Sequence, residues 1–286
     1  MNNKKNKGSA GLSFYRIICY IVLVFLTILC LFSFYILLVN SSRAHVEIMK
    51  GFSIVPGNFF LNNFNALIHD PNLPVVSSLI NSLVIAASTA ILTTYFSSLT
   101  AYAIHAYHFK GKKAVFTFIL MIMMVPTQVT ALGFVELMRD MHLMNNFIPL
   151  IVPGIAAPIV FFFMKQYMDS SLPIEIIEAA RIDGSSEFRA FNKIVIPIMK
   201  PAIAVQMIFS FTASWNNYFT PSLLLNEKNM KTLPILIAQI RSADFLKFNW
   251  GEVYMAIVIS ILPILIVYFI LSKHIVQGIA IGSVKG

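Results

Sequence analysis

The sequence predicts an all-α protein that crosses a membrane six times. Three observations lead there. The 286 residues are 58% hydrophobic and only 12% charged, with a mean hydropathy of +0.78, whereas a soluble domain carries about 25% charged residues. Six apolar segments each reach the ~20 residues that a helix needs to cross a bilayer. The basic residues gather at the ends of those segments, with a bias to one side. Open strands are excluded there, because unpaired backbone groups are too costly in hydrocarbon. The net charge of +9 is spread along membrane flanks and forms no basic patch with aromatics, so no nucleic-acid partner is expected.

Residues 1–13, with Lys4, Lys5 and Lys7, form an N-terminal tail. The first span, 14–39, holds an apolar run far longer than the about 7–15 residues of a signal-peptide core, so it reads as an uncleaved helix. Cys19 and Cys30 both lie in it. Eleven positions apart on one helix, they are too distant to bond, and neither a disulfide framework nor a metal site is expected. The next spans are 75–104, 114–137, 147–167, 201–225 and 252–272. Pro56-Gly57 marks the outer loop 41–74 as surface, and 226–251 is a second outer loop. Residues 273–286 form a C-terminal tail. With the N-terminus inside, the inner segments carry 14 of the 21 Lys and Arg residues and the outer segments 7. Both termini are therefore expected in the cytoplasm, within one membrane domain spanning 14–272.

Between the fourth and fifth spans lies a polar island, about 169–200, also on the cytoplasmic side. Pro173 suits a helix start, and Gly184 suits a left-handed stop after Ile182 or Asp183. Ser185 can cap a second short helix with Glu187 in its first turn. Phe188, Phe191, Ile194 and Val195 recur at helical spacing. Pro197 and Pro201 end the unit. The product is two short helices around a glycine bend, with an apolar face suited to a groove in another protein. Glu178 and Arg181, three apart, can pair on the helix surface. Ala179 and Ala180 leave one side thin enough for close approach. A loop lying on lipid headgroups is the alternative.

No Gly-x-x-x-x-Gly-Lys-Ser/Thr string occurs, so this route to nucleotide binding is absent. No Asp, Glu, Lys or Arg stands in the middle of a span, whereas proton-driven carriers use such groups as relays. The chain reads as a transport subunit, not an enzyme, driven by a partner. A sodium-coupled carrier acting alone stays open, since backbone carbonyls can bind Na⁺. Polar groups within spans mark a candidate solute path: Asn81, Ser88, Thr127, Gln128, Ser214, Asn216 and Asn217, with Trp215 and Tyr218 able to stack on a sugar face. Interhelical hydrogen bonding is the competing role for these polar groups, and interfacial anchoring for the two aromatics. His105 and His108 have no carboxylate or Cys beside them in sequence and read as interfacial.

The island Glu178-Ala179-Ala180-Arg181-Ile182-Asp183-Gly184, followed after nine residues by Ile194-Val195-Ile196-Pro197, resembles the EAA loop of ATP-binding-cassette importer permeases. Ile196 replaces the usual Leu. Along nearly its full length the chain is similar to the carbohydrate-uptake, maltose-type branch. Asn81-Ser82-Leu83, Ala101-Tyr102-Ala103, Val125-Pro126, Ser214-Trp215-Asn216-Asn217-Tyr218, Thr232-Leu233-Pro234 and the tail from Gly278 to Gly286 carry that likeness.

The resemblance implies a multi-pass permease in the cytoplasmic membrane of a bacterium. It implies a second related permease, two ATPase subunits that hold ATP and Mg²⁺, and an extracellular sugar-binding protein. This chain itself would bind no cofactor. The residues coupling it to the ATPase would be Glu178, Ala179, Ala180, Asp183, Gly184, Phe188 and Pro197, with Lys285 in the tail along the same interface. The substrate would be a sugar or oligosaccharide, with a non-sugar solute as the alternative.

Overall fold

The computed structural model describes residues 5–70, 73–242 and 249–282, with side chains except at 5–14, 241–242 and 276–282. Lys4, Lys247 and Lys285 lie outside the described residues. Among these residues there is no strand. The main helices are α1 (Lys5–Ser41), α2 (Val75–Ala106), α3 (Lys112–Ile122), α4 (Thr127–Asp140), α5 (Pro158–Ser171), α6 (Ile174–Ile182), α7 (Glu187–Ile198), α8 (Lys200–Trp215), α9 (Leu233–Ser242) and α10 (Trp250–Gly282). Four runs are long and apolar enough to cross a membrane: Tyr15–Ser41, Val75–Ala106, Ile148–Ser171 and Trp250–Ile275. The number rises to six if the bent pairs α3–α4 and α7–α8 each count as one span.

Two expected spans are thus broken. The pair α3–α4, expected as one helix over 114–137, bends by 92°. The cause is Pro126, which lacks an N–H, clashes with the carbonyl four residues back and disfavours helix at Val125. The preceding amides of Met123, Met124 and Val125 retreat to i−3 bonds that tighten the last turn. The pair α7–α8 bends by 83° between Pro197 and Pro201. Helix α8 then stops at Trp215, well short of the expected end at 225. Asn216 and Asn217 cross the gap to a short helix, Phe219–Leu224.

The chain divides into two compact units, residues 1–69 with 243–259 and residues 70–242 with 260–286. In the first, the end of α1 passes into a polar knot. Arg43 is buried and donates to Asn40 Oδ1 and to the carbonyls of Glu47 and Gly51. The Asn63 amide donates to the carbonyls of Ser41 and Arg43. Every buried donor so held avoids the cost of about 1–3 kcal/mol that an unpaired one carries. Gly57 is required here, because a Cβ would stand 2.6 Å from the Ser42 carbonyl oxygen.

In the second unit α2 is the central element, packed by α5 and α8. Ser78, Ser82, Ala86, Ala90, Thr94 and Ser98 recur every four residues and are buried. This stripe of small side chains lets neighbouring helices approach closely, the usual packing device inside a membrane. Towards the C-terminal end of α2 the packing becomes bulky, with Tyr102, Phe161, Met164, Met168, Phe191, Val195 and Met199 in one core. That core is the seat of the loop between α5 and α8.

Candidate coupling loop and solute path

Helix α6 begins after Pro173, which holds the capping position with φ −59° and ψ 137° and so stands just outside the helix. Its end is a Schellman turn. The Ser185 amide donates to the Ala180 carbonyl at 2.9 Å and the Gly184 amide to that of Arg181 at 3.0 Å. Gly184 takes φ +75°, a left-handed conformation that glycine adopts without a Cβ penalty. The capping position of α7 is Ser186, not the expected Ser185, and its side chain makes no cap bond. Within α7 the turn Phe191–Val195 is a π-helix. The buried stride of α7 runs Phe191, Val195, Met199, in steps of four through that wide turn. Phe188 falls outside this stride, contrary to the single face expected, and is 68% exposed.

The outer face of the loop is therefore mixed. Ile182 is 86% exposed. Glu178, Ala179, Asp183 and Gly184 are exposed around it, as is Pro197 further along, whereas Ala180 and Ile177 are buried beneath. Two large apolar side chains, Ile182 and Phe188, thus stand exposed on a charged knuckle.

The inner face is tied down. Arg181 does not pair with Glu178. Its Nε donates to Glu187 Oε1 at 2.6 Å, across the glycine bend, and its guanidinium lies 5.1 Å from the Tyr107 ring centre. The second oxygen of Glu187 accepts from the Tyr102 hydroxyl at 2.7 Å. The Arg181 bond, aided by Tyr102 and against partial burial, holds the Glu187 carboxyl down at about 2. Arg181 and Glu187 keep side-chain exposures of 33% and 42%, so their ion pair alone contributes at most about 1 kcal/mol. The Tyr102 bond to a carboxylate adds about 1.5 kcal/mol or more.

His105 also departs from the sequence expectation. Although no carboxylate adjoins it in sequence, Asp169 of α5 stands 2.9 Å from Nδ1, and the Leu172 carbonyl 2.9 Å from Nε2. Lys165 pairs with the same Asp169. Among the described residues, no group of three His, Cys, Asp or Glu is placed to hold a metal.

The candidate path residues divide. Asn81 donates to the carbonyls of Asn229 and Lys231, so its amide staples α2 to the loop before α9. Trp215 is 2% exposed, stacks on Phe211 and donates from Nε1 to the Ser260 carbonyl. It bridges α8 to α10 one turn before Pro263, which interrupts the α10 ladder. Gln128 and Thr127 are exposed at the start of α4. Asn216 and Tyr218 line a cavity of about 240 Å³ with Leu233 and Ser260. A larger cavity, about 490 Å³, is lined by Asn217 and Ser214 together with Thr89, Thr93, Gln206, Ser210 and the rings of Phe163 and Phe209. Ser88 is not among its lining residues. Gln206, Ser210 and Ser214 repeat at steps of four on one face of α8, and Asn217 follows three residues later, just past the helix end. That spacing is readable in the sequence, and the Ser210 hydroxyl is buried without a hydrogen-bond partner.

The pattern described as "Binding-protein-dependent transport system inner membrane component" matches residues 94–281. The arabinooligosaccharides transport system permease protein AraQ of Bacillus subtilis is 33% identical over 98% of this chain and 99% of its own length. The trehalose/maltose transport system permease protein MalG of Thermococcus litoralis is 30% identical over 95% of this chain and 97% of its own. A crystal structure of a bacterial ABC transporter involved in the import of the acidic polysaccharide alginate superposes with a TM-score of 0.77, at 21% identity, over 91% of this chain and 96% of that one. At that identity the likeness concerns the fold.

Proposed function

The chain belongs to the family of binding-protein-dependent transport system inner membrane components, and on that premise we propose that it is the permease subunit of an ATP-binding-cassette importer for a sugar or oligosaccharide. It sits in the cytoplasmic membrane of a bacterium, with six spans once α3–α4 counts as one and α8 with the residues after it as another, and with both termini in the cytoplasm. A second permease completes the pore, two ATPase subunits bind ATP and Mg²⁺, and an extracellular binding protein delivers the solute. Relatives named for arabinooligosaccharides and for trehalose and maltose support the substrate class.

One observation carries the coupling role: Ile182 and Phe188 stand exposed on a knuckle whose other side is bonded into the core. A groove on the ATPase would receive these two side chains, with Glu178, Ala179, Asp183 and Gly184 around them. Closure of the ATPase dimer would draw the knuckle inwards, and rigid helices would convert this into a switch between two cavity states. Polar groups of the 490 Å³ cavity, with Asn216, Tyr218 and Gln128, would face the solute. Asn81 and Trp215 would hold the walls. Affinity purification of the solubilised chain tests the role: an ATPase subunit is retained if the reading holds, and a chain that purifies alone contradicts it.

A further inference from the structure

Three side chains on one face of α2 meet the coupling loop. Tyr95, Tyr102 and His105 stand seven and three positions apart, so they stack along a single side of the helix. His105 receives the chain leaving α5, through Asp169 and the Leu172 carbonyl, both at 2.9 Å. Tyr102 receives α7 through Glu187. Tyr95 reaches Asn192 Oδ1 at 3.3 Å, and its ring meets Phe191 edge-on at 5.6 Å. Finally, Arg181 and Glu187 join α6 to α7. The ties close a triangle: α2 to the start of the loop, α2 to its second helix, and the two helices to each other.

The triangle adds side-chain ties to a bend at Gly184 that is otherwise held by its two Schellman hydrogen bonds and by the buried Ile177, Ala180 and Phe191. Nothing lies within 4 Å of the position a Cβ would take there. A force on Ile182 or Phe188 would fold the loop about that glycine unless other bonds held both arms. A loop that bends absorbs the displacement. A loop locked to α2 passes it into the helix that packs on α5 and α8 and lines the larger cavity through Thr89 and Thr93.

Resting on the permease reading above, we infer that Tyr102 and His105 are positioning residues, which with Arg181–Glu187 fix both arms of the coupling loop to α2 so that loop and helix move as one body. The motion itself provides the test. In the purified transporter with Cys19 and Cys30 replaced by Ser, spin labels are placed at Arg189→Cys on the loop, outside the docking pair, and at Ile91→Cys on α2, both exposed. The distance between them is measured without nucleotide and with Mg-ATP and vanadate. The inference requires one narrow distance, the same in both states. A wild-type distance that changes with nucleotide overturns it, whatever the variants do.

Tyr102→Phe with Glu187→Gln removes the second tie while leaving the Tyr102 ring on Phe191. In that background the single distance is lost and becomes nucleotide-dependent. An unchanged distance in the double variant, with the ATPase still bound, overturns the inference and leaves the permease reading standing. Absence of a bound ATPase from the wild-type chain defeats the reading itself. A purely stabilising role would lower the yield of folded protein without making the distance depend on nucleotide.

Discussion

Tyr102 and Glu187, 85 positions apart, meet through a 2.7 Å hydrogen bond that pins α7, the second helix of the knuckle, to α2, the longest helix of its unit. Residues on the two sides of this bond have different tasks. Beneath it, Phe191 and Val195 fill the core. Beyond it, Ile182 and Phe188 face outwards. The energetic consequences of that division can be measured.

Truncating the outward pair leaves the fold of the chain intact, because neither side chain is packed. Ile182→Ala and Phe188→Ala are each expected to weaken retention of the ATPase by about 2 kcal/mol, roughly 30-fold, the scale of an interface hot spot. Titration of the labelled ATPase onto the purified permease pair measures this. Loss of folded chain without loss of affinity would place these residues in the core instead.

Gly184 separates geometry from volume. With open space around it, Gly184→Ala faces only the left-handed backbone penalty, about 1–2 kcal/mol. Pro cannot take φ +75° and also removes the amide that bonds to the Arg181 carbonyl. Gly184→Pro is expected to stay in the membrane at normal levels yet abolish uptake, whereas Gly184→Ala retains most of it. Immunoblots of membranes beside uptake assays check both.

The Arg181–Glu187 clasp has a defined pH range. Glu187 sits at about 2 in the folded chain against an ordinary value of 4.5. A depressed carboxylate contributes its stability fully above the ordinary value and loses it as pH falls from there towards the folded value. The protection that the clasp gives the amides of 185–190 is expected to be constant between pH 8 and pH 5, after correction for intrinsic rates. Protection from the clasp should fade below about 4.5 and be gone near 2. Glu187→Gln should remove that acid transition.

In the larger cavity, Ser210 has a buried hydroxyl that no group among the described residues satisfies. Its replacement by Ala is expected to leave thermal stability unchanged or slightly raised, since an unpaired polar atom is removed. If the hydroxyl meets the solute, the half-saturating concentration for uptake rises about 2- to 10-fold, the worth of one hydrogen bond. Equal uptake curves would remove Ser210 from the path.

What the sequence discloses here is set by how local each signal is. The left-handed stop at Gly184 and the helix beginning after Pro173 depend on neighbours within a few residues, and the structure has both close to where they were expected. Pro126 was equally visible, but hydropathy averaged across it and concealed a 92° bend. The choice of Ser186 over Ser185 as the capping position turns on a shift of one residue, below what patterns resolve. The partners of Arg181 and His105 depend on α2 and α5 folding against the loop. A sequence reader sees Glu178 three residues from Arg181, yet the structure prefers Glu187, because Tyr102 and Tyr107 complete the site there. The polar series Gln206, Ser210, Ser214 and Asn217 was available from spacing alone, but only its last two members stand beside the aromatic cluster that drew notice.

A photocross-linker at position 182, in membranes containing the whole transporter, tests the account most directly. The prediction is one dominant protein adduct, to the ATPase subunit, with a yield that changes when ATP and vanadate are added. Adducts to lipid alone, or labelling of that position by an impermeant reagent applied outside intact cells, would contradict it.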